Sequence, residues 1–280
     1  MKKIGFVDYY ISEWHANNYP AWIREACQEK GLDFEVKYVW AEEYVSPVDK
    51  RNTDGWCEAF GAERCESIAE LCEKSDYIIV LAPSNPEKHL GYAAEVLRYG
   101  KRTYIDKTFA PDLKTAKEIF DLGEKYGTKF FSSSALRYSS ALVGIENAKY
   151  VTTFGGGSNF NEYAVHQAEM VISVLKEKPL SVKVEKQGGQ YFTSVKLTGG
   201  KEASMLFAPS LPFAIAFEDE NGKGGYRAAG AGHFQNLMLD IVEFFDTGAI
   251  SFDPAETLSV MKLREAAVNG TERIGEWIQI

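Results

Sequence analysis

The sequence predicts an α/β protein: a Rossmann-like, doubly wound parallel sheet, then a smaller α+β domain with an open, mostly antiparallel sheet. Three observations carry this. Strand and helix signals alternate through the first half with short links, which calls for right-handed crossovers onto a parallel sheet. "YIIVLA" (Tyr77–Ala82) is a continuous apolar run, as in a strand buried on both faces. Past Arg137 the rhythm changes to paired glycines separating alternating segments, the pattern of hairpin-linked strands.

Taken in order, Lys3–Val7 reads as a strand, and Pro20 suits the first turn of a helix running to Lys30 and stopping at Gly31. Phe34–Trp40 alternates as a second strand, and Glu42–Trp56, with Pro47 and many charges, reads as an irregular insertion. Cys65–Lys74 is a short helix, Tyr77–Ala82 a strand, and Pro86–Tyr99 a helix closed by Gly100. Arg102–Ile105 and Lys129–Ser132 are strands around a helix over Leu113–Tyr126, which ends at Gly127. The second half opens with the glycine run Gly155–Gly157 and a helix over Ala164–Lys176. "SVKVEKQ", "YFTSVKLT", "EASMLFA" and "FAIAFED" then read as antiparallel strands, and helices over Phe234–Asp246 and Pro254–Asn269 close the chain. The expected domains are 1–135 and a shortened 136–280, whose final helices can pack back on the first.

Composition narrows the function classes. The 280 residues are 45% hydrophobic and 25% charged, ordinary for a globular protein. A net charge of −9 argues against a nucleic-acid partner. No apolar run reaches the ~20 residues that span a membrane, and "MKKIGFV" enters a strand without a signal-peptide core, so a cytoplasmic location is expected. Cys27, Cys57, Cys65 and Cys72 lack CxxC spacing, and Cys65 and Cys72, in a helix-like stretch, read as reduced packing residues. The four histidines form no HxH or HExxH, so no metal site is expected.

In an open parallel sheet, ligands bind beyond the carboxyl ends of the strands. "PSNPEKH" (Pro83–His89) follows the buried strand, with Asn85 either capping the next helix or facing a ligand. "DKTFAPD" (Asp106–Asp112) follows the next strand. Lys107 there is either a solvated surface lysine or a group aimed into the crevice, where partial desolvation would suit acid–base work. In "SNFNEYAVHQAEM" (Ser158–Met170), Glu162, His166 and Glu169 share one helix face. That arrangement is either a carboxylate-steered histidine or an acidic helix start with one satisfied histidine.

Together these segments resemble the Gfo/Idh/MocA family. "PSNPEKH" is similar to its proline–asparagine–histidine turn, "DKT" stands where the family has Glu-Lys-Pro, and "ALRYSS" where it has its arginine segment. "GGGSNFNEYAVHQAEMVISVL" resembles its Gly–Asp–x–x–x–His–x–x–Asp helix. "FQNLMLDIVEFFDTGAISFDPAETLSVMKLREAAVNG" resembles its closing helices.

The resemblance implies an NAD- or NADP-binding Rossmann domain, a second domain holding a sugar or polyol, and reversible oxidation of a hydroxyl. It implies that Lys107 and His166, with Glu162, handle the hydroxyl proton. Glu169, Arg137, Tyr138, Asn161 and His15 would face the substrate. Asp8, Tyr9, Trp40, Ala82, Pro83, Ser84, Asn85, His89 and Asp106 would line the cofactor crevice. A homodimer or homotetramer through the C-terminal sheet is implied by the same analogy.

The first strand–turn–helix departs from the family. Where GxGxxG is expected, the chain reads "DYYISEWHA", so Asp8 and Glu13 would repel a diphosphate and the aromatic side chains would fill its space. Trp40 stands where an acidic residue would hold the ribose, with Glu42 two places on. "AAGAGHFQN" (Ala228–Asn236) offers no second fingerprint, because it lies outside any βαβ unit and reads as a loop. Three readings stay open: nicotinamide chemistry by an altered binding mode; cofactor-free proton chemistry, such as epimerisation or β-elimination; and a non-catalytic sugar-binding role.

Overall fold

The alternating first half folds into a six-stranded sheet in which every neighbouring pair is parallel. The computed structural model describes residues 1–280 and divides into two units, residues 1–133 with 235–252 and residues 134–234 with 253–280.

In the first unit the elements are β1 (Lys2–Asp8), α1 (Trp14–Lys30), β2 (Phe34–Ala41), α2 (Thr53–Phe60), β3 (Glu63–Arg64) and α3 (Ile68–Lys74). They continue with β4 (Tyr77–Val80), α4 (His89–Val96), β5 (Thr103–Ile105), α5 (Leu113–Tyr126) and β6 (Phe130–Phe131). The strand order β3-β2-β1-β4-β5-β6 reverses direction between β1 and β4, which makes the carboxyl ends of those two strands the ligand crevice of such a sheet. Ile4, Phe6 and Val7 of β1 and Ile78–Val80 of β4 are fully buried, as central strands covered on both faces must be. Gly5 lets α3 lie close: a Cβ there would stand 2.5 Å from both Leu71 Cδ2 and Ser75 Oγ.

Two expectations are corrected here. Helix α1 begins at Trp14, so Pro20 lies in its body and not in its first turn. The true start is Glu13, whose side chain accepts from the N–H groups of His15 and Ala16, and glutamate is outside the usual cap set. The insertion after β2 is also less irregular than its composition suggests. Asn52 caps α2 through Gly55 N–H at 2.8 Å and bridges back to Val45.

The second unit carries β7 (Tyr150–Gly155), α6 (Phe160–Leu175), β8 (Pro179–Gln187), β9 (Gln190–Leu197), β10 (Glu202–Phe207), β11 (Ala214–Glu218) and β12 (Gly224–Ala228). Helix α7 (His233–Thr247) returns to the first unit. There Phe244 meets Phe131 edge-on at 5.1 Å, and Phe245 stacks on Tyr77 at 4.8 Å. Helix α8 (Ala255–Asn269) and β13 (Trp277–Gln279) complete the second unit.

Its sheet runs β12-β11-β7-β10-β9-β8-β13 and is antiparallel except where β10 lies parallel to β7. "EASMLFA" is therefore antiparallel on one side only, and β13 is a strand that three residues of sequence do not announce. Helices α6 and α8 pack over the sheet through Val165, Ala168, Ile172, Leu263 and Ala267 against Val182, Val195 and Met205. The glycine run is a packing device: a Cβ on Gly156 would stand 2.1 Å from the Ala208 carbonyl oxygen. No helix is long and apolar enough to cross a membrane.

Candidate functional site

At the carboxyl end of β1, the Asp8 carboxylate turns inward. Its Oδ1 accepts from the N–H of Tyr9 at 2.7 Å and from Ala82 N–H at 2.9 Å, tying the ends of β1 and β4 together. Oδ2 is buried without a partner. Burial, then the nearby Glu13, hold the Asp8 carboxyl well above the usual carboxylate range. Ile11 and Ser12 fill the turn and are 1% exposed.

Glu13, 8% exposed, then closes the turn onto the first N–H groups of α1: Oε2 accepts from His15 N–H at 2.7 Å and Oε1 from Ala16 N–H. Burial raises its carboxyl despite the His15 charge and the two N–H donors. His15 Nδ1 bonds the Asp106 carboxylate, and the Tyr19 hydroxyl lies 3.1 Å from the same nitrogen and 3.4 Å from Asp106 Oδ1. Tyr104 donates to Asp106 at 3.2 Å and to the Ser133 carbonyl at 2.9 Å. Burial works against the Asp106 charge, but His15 and Lys107 outweigh it and hold the carboxyl below its ordinary value.

Lys107 follows directly and is half-buried. Its ammonium donates to the Pro83 carbonyl at 3.2 Å and pairs with no carboxylate. The Lys107–Thr108 peptide is cis. Beside it, Ala82 adopts a left-handed backbone (φ 60°), and the turn at Pro83, Ser84 and Asn85 lies at the surface of the crevice. At the end of β2, Trp40 packs edge-on against Tyr92 at 5.7 Å. Glu42 is held by Lys88 at 2.5 Å and by the Tyr92 hydroxyl at 2.7 Å, while the Lys88 ammonium sits 4.6 Å from the Tyr9 ring centre.

Some candidate residues turn out to be structural. His89 is fully buried, with Nδ1 on the Phe109 carbonyl at 3.0 Å and Nε2 on the Leu81 carbonyl at 2.5 Å, so it straps the sheet and faces no cofactor. Among the thiols, burial first pushes Cys57 and Cys65 to about 11 and Cys72 to about 12, which makes them inert. No group of three or more potential ligands could hold a metal ion.

In the second unit, α6 starts at Phe160, four residues before the expected start, because Asn159 caps it through Glu162 N–H at 2.9 Å. Glu162, His166 and Glu169 therefore all lie on one helix, but they divide the work. Glu162 takes part in the cap, receiving Ser158 and Asn159 at 3.3 Å. His166 is half-buried between the rings of Tyr163 and Phe213, its Nδ1 2.7 Å from the Ser134 hydroxyl. Glu169 is buried, its Oε1 2.5 Å from Arg137 Nε, and Arg137 Nη1 also reaches Glu256 at 2.7 Å.

Arg137 and Glu169, expected as substrate ligands, form an ion pair with each other, with Arg137 also bound to Glu256. Tyr138 follows them, half-buried, in the same short turn. Asn161 is exposed, and its carbonyl accepts from Arg264 at 3.1 Å. Lys107, His15, Asp8 and Asp106 thus fall in one unit and His166, Glu162 and Glu169 in the other. Sequence reasoning missed the Glu13 cap and the Tyr19 contact. The four-residue spacing of His15 and Tyr19 on a helix was the available signal for the latter.

Residues 39–134 match the model of the Gfo/Idh/MocA family, described as an oxidoreductase family with an NAD-binding Rossmann fold. Across the whole chain the fold is similar to that of several dehydrogenases of known structure. Myo-inositol dehydrogenase of Corynebacterium glutamicum is 11% identical over 100% of this chain and 99% of its own, with a TM-score of 0.79. Lactobacillus casei myo-inositol dehydrogenase, solved with NAD(H) and myo-inositol, is 12% identical over 100% and 97%, with a TM-score of 0.79. The scyllo-inositol dehydrogenase of the same organism, solved with NAD(H) and scyllo-inositol, is 11% identical over 100% and 99%, with a TM-score of 0.77. No curated protein matches the chain by sequence.

A Rossmann dinucleotide rests its diphosphate on the free N–H groups that open the first helix, reached through glycines. In this chain those N–H groups already bond the Glu13 carboxylate, and Ile11 and Ser12 occupy the turn. The residues present do not fit a diphosphate on α1 in this arrangement.

Proposed function

We propose that this protein is an enzyme of the oxidoreductase type of the Gfo/Idh/MocA family, acting on the hydroxyl-bearing carbons of a polyol or sugar. Lys107 is the proton-handling group of the first unit and His166 that of the second, each assigned on its own unit's geometry. The carrying observation is Lys107 itself. It is a half-buried ammonium at the carboxyl end of a central parallel strand, held by one carbonyl and by no carboxylate. An ammonium held only by a carbonyl at the end of a parallel strand is placed to exchange a proton with a bound hydroxyl. The polyol class follows from the inositols named for the solved relatives.

Glu13 stands where the diphosphate of a nicotinamide dinucleotide would lie. That same observation favours a second reading, proton transfer beside the carbonyl of a keto sugar or sugar acid, giving epimerisation or β-elimination. One experiment separates them. Inositols, keto sugars and sugar acids are incubated in deuterated water with NAD, with NADP or with no nucleotide, and products are followed by NMR. Turnover only with nucleotide assigns the first reading, and nucleotide-free turnover with carbon-bound deuterium assigns the second. Either activity should fall about 10²–10⁴-fold in Lys107→Ala. An unchanged rate removes Lys107 from the chemistry, and no turnover on any class overturns both readings.

A further inference from the structure

We infer that Glu13 is an internal surrogate for the anion a dinucleotide would place on α1, so that the native chain takes no nucleotide diphosphate there. Three independent features of the first unit converge on this. The Glu13 carboxylate accepts from the second and third residues of α1, at 2.7 Å from His15 N–H and also from Ala16 N–H. These donors carry the positive end of the helix dipole and form the ready-made anion site of a Rossmann fold. The site is therefore satisfied by the chain itself, and Glu13 is buried (8% exposed) with an extended backbone, φ −135°, that aims it back over the helix.

The adjoining strand end is closed in the same manner. Glu42, two residues from where an acidic side chain would grip a ribose, is bound to Lys88 at 2.5 Å and to the Tyr92 hydroxyl at 2.7 Å, with Lys88 capping the Tyr9 ring. A ribose would have to break that ion pair to reach Glu42. Beneath both, Asp8 and Asp106 add carboxylates close to Glu13, and both contribute to its electrostatic surroundings or to each other's. A doubly charged diphosphate entering here would displace a hydrogen-bonded carboxylate and meet the negative charge of Asp106.

This inference does not rest on the polyol assignment; it disfavours the nucleotide-dependent reading of that function and leaves the nucleotide-free reading standing. Its test is isothermal titration of the full chain with ADP-ribose and with NADH, comparing the native protein with Glu13→Ser and Glu13→Gln. Serine keeps a helix cap while removing the carboxylate; glutamine keeps the length and removes the charge. Native protein should give no saturable heat with either probe. Glu13→Ser should bind ADP-ribose at least about tenfold more tightly than native, equivalent to about 1.4 kcal/mol.

Glu13→Gln, the more conservative change, should shift in the same direction and keeps the test valid if the serine variant fails to fold. Equal affinity of all three proteins, within about threefold, overturns the inference, and so does absence of binding to both variants. A gain in nucleotide binding together with inactivity on every polyol and sugar would sink the proposed function alone.

Discussion

Asp106, at the end of β5, holds the imidazole of His15 from the first turn of α1, and the Tyr19 hydroxyl closes on both. The His15 and Asp106 side chains are 9% and 1% exposed. The pair therefore joins the first βα unit to the strand that carries Lys107. Fully buried polar groups must be satisfied by one another, and this one is.

Asp106→Asn keeps the shape of the side chain and removes the charge facing His15. Breaking a buried pair from one side costs about 3–5 kcal/mol. His15→Gln should cost less, and the double variant should be more stable than the sum of the two losses by over about 1 kcal/mol. Urea unfolding midpoints of the four proteins give this coupling. Strict additivity would mean that the two groups do not act as a pair.

The buried Asp8 carboxyl behaves oppositely to Asp106. Its folded-state pKa is raised, by burial first and Glu13 second, above its unfolded value. A group of that kind contributes stability fully below the unfolded pKa and loses it as pH rises through the folded pKa. Asp8→Asn removes this dependence, since an amide oxygen can still accept from Tyr9 and Ala82. The variant should therefore gain on the native protein as pH rises from about 4 toward 7. Thermal melts across that window check it, and a gap that stays constant with pH contradicts it.

These two residues also show what the sequence discloses and what it withholds. Periodicity found every strand of the parallel sheet except the two-residue β3, because buried strands and glycine-stopped helices leave local signals. Leu113–Tyr126 is a helix to the residue, bounded by the Asp112 cap and Gly127. The overwritten phosphate turn was legible as a departure, since Asp8 and Glu13 stand where glycines would be.

What those side chains do instead was not legible. That Glu13 caps its own helix depends on the backbone turning at Ile11–Ser12, and that His15 meets Asp106 depends on the fold bringing the start of α1 against the end of β5, ninety-one residues on. The parallel pairing of β10 with β7 was equally hidden, because an alternating strand has the same pattern whichever way its neighbour runs. Glu169 and Arg137 had the composition of a ligand site, and only packing revealed that they face each other.

That second-unit pair makes a prediction of rank order. Arg137 is clamped by Glu169 and Glu256, whose side chains are 4% and 15% exposed, and Ser134 N–H also donates to Glu169 at 3.1 Å. Glu169→Ala should cost about 3–5 kcal/mol, because it strips a buried guanidinium of its closer carboxylate and leaves the Ser134 donor unsatisfied. Glu256→Ala should cost clearly less, since water can reach its place. Chemical denaturation of the two variants tests the order, and equal losses would mean that burial does not set it.

His89 supplies the last test, at a residue the family turn places at the crevice but the fold buries completely. Both ring nitrogens meet backbone carbonyls, and burial is the largest influence on its protonation, lowering its pKa below the ordinary histidine value despite those acceptors. The unfolded chain therefore binds a proton at this position before the folded one does, so stability falls as pH drops through about 6.5 toward the folded value. His89→Gln can still donate to one of the two carbonyls but no longer titrates. It should be less stable than the native protein at pH 8 by about 1–3 kcal/mol, for the strap it weakens. Between about pH 7 and pH 5 its disadvantage should shrink, because only the native protein is penalised for keeping an uncharged histidine. Denaturant midpoints measured at three pH values read both effects, and a disadvantage that widened on acidification would mean that His89 is charged in the fold.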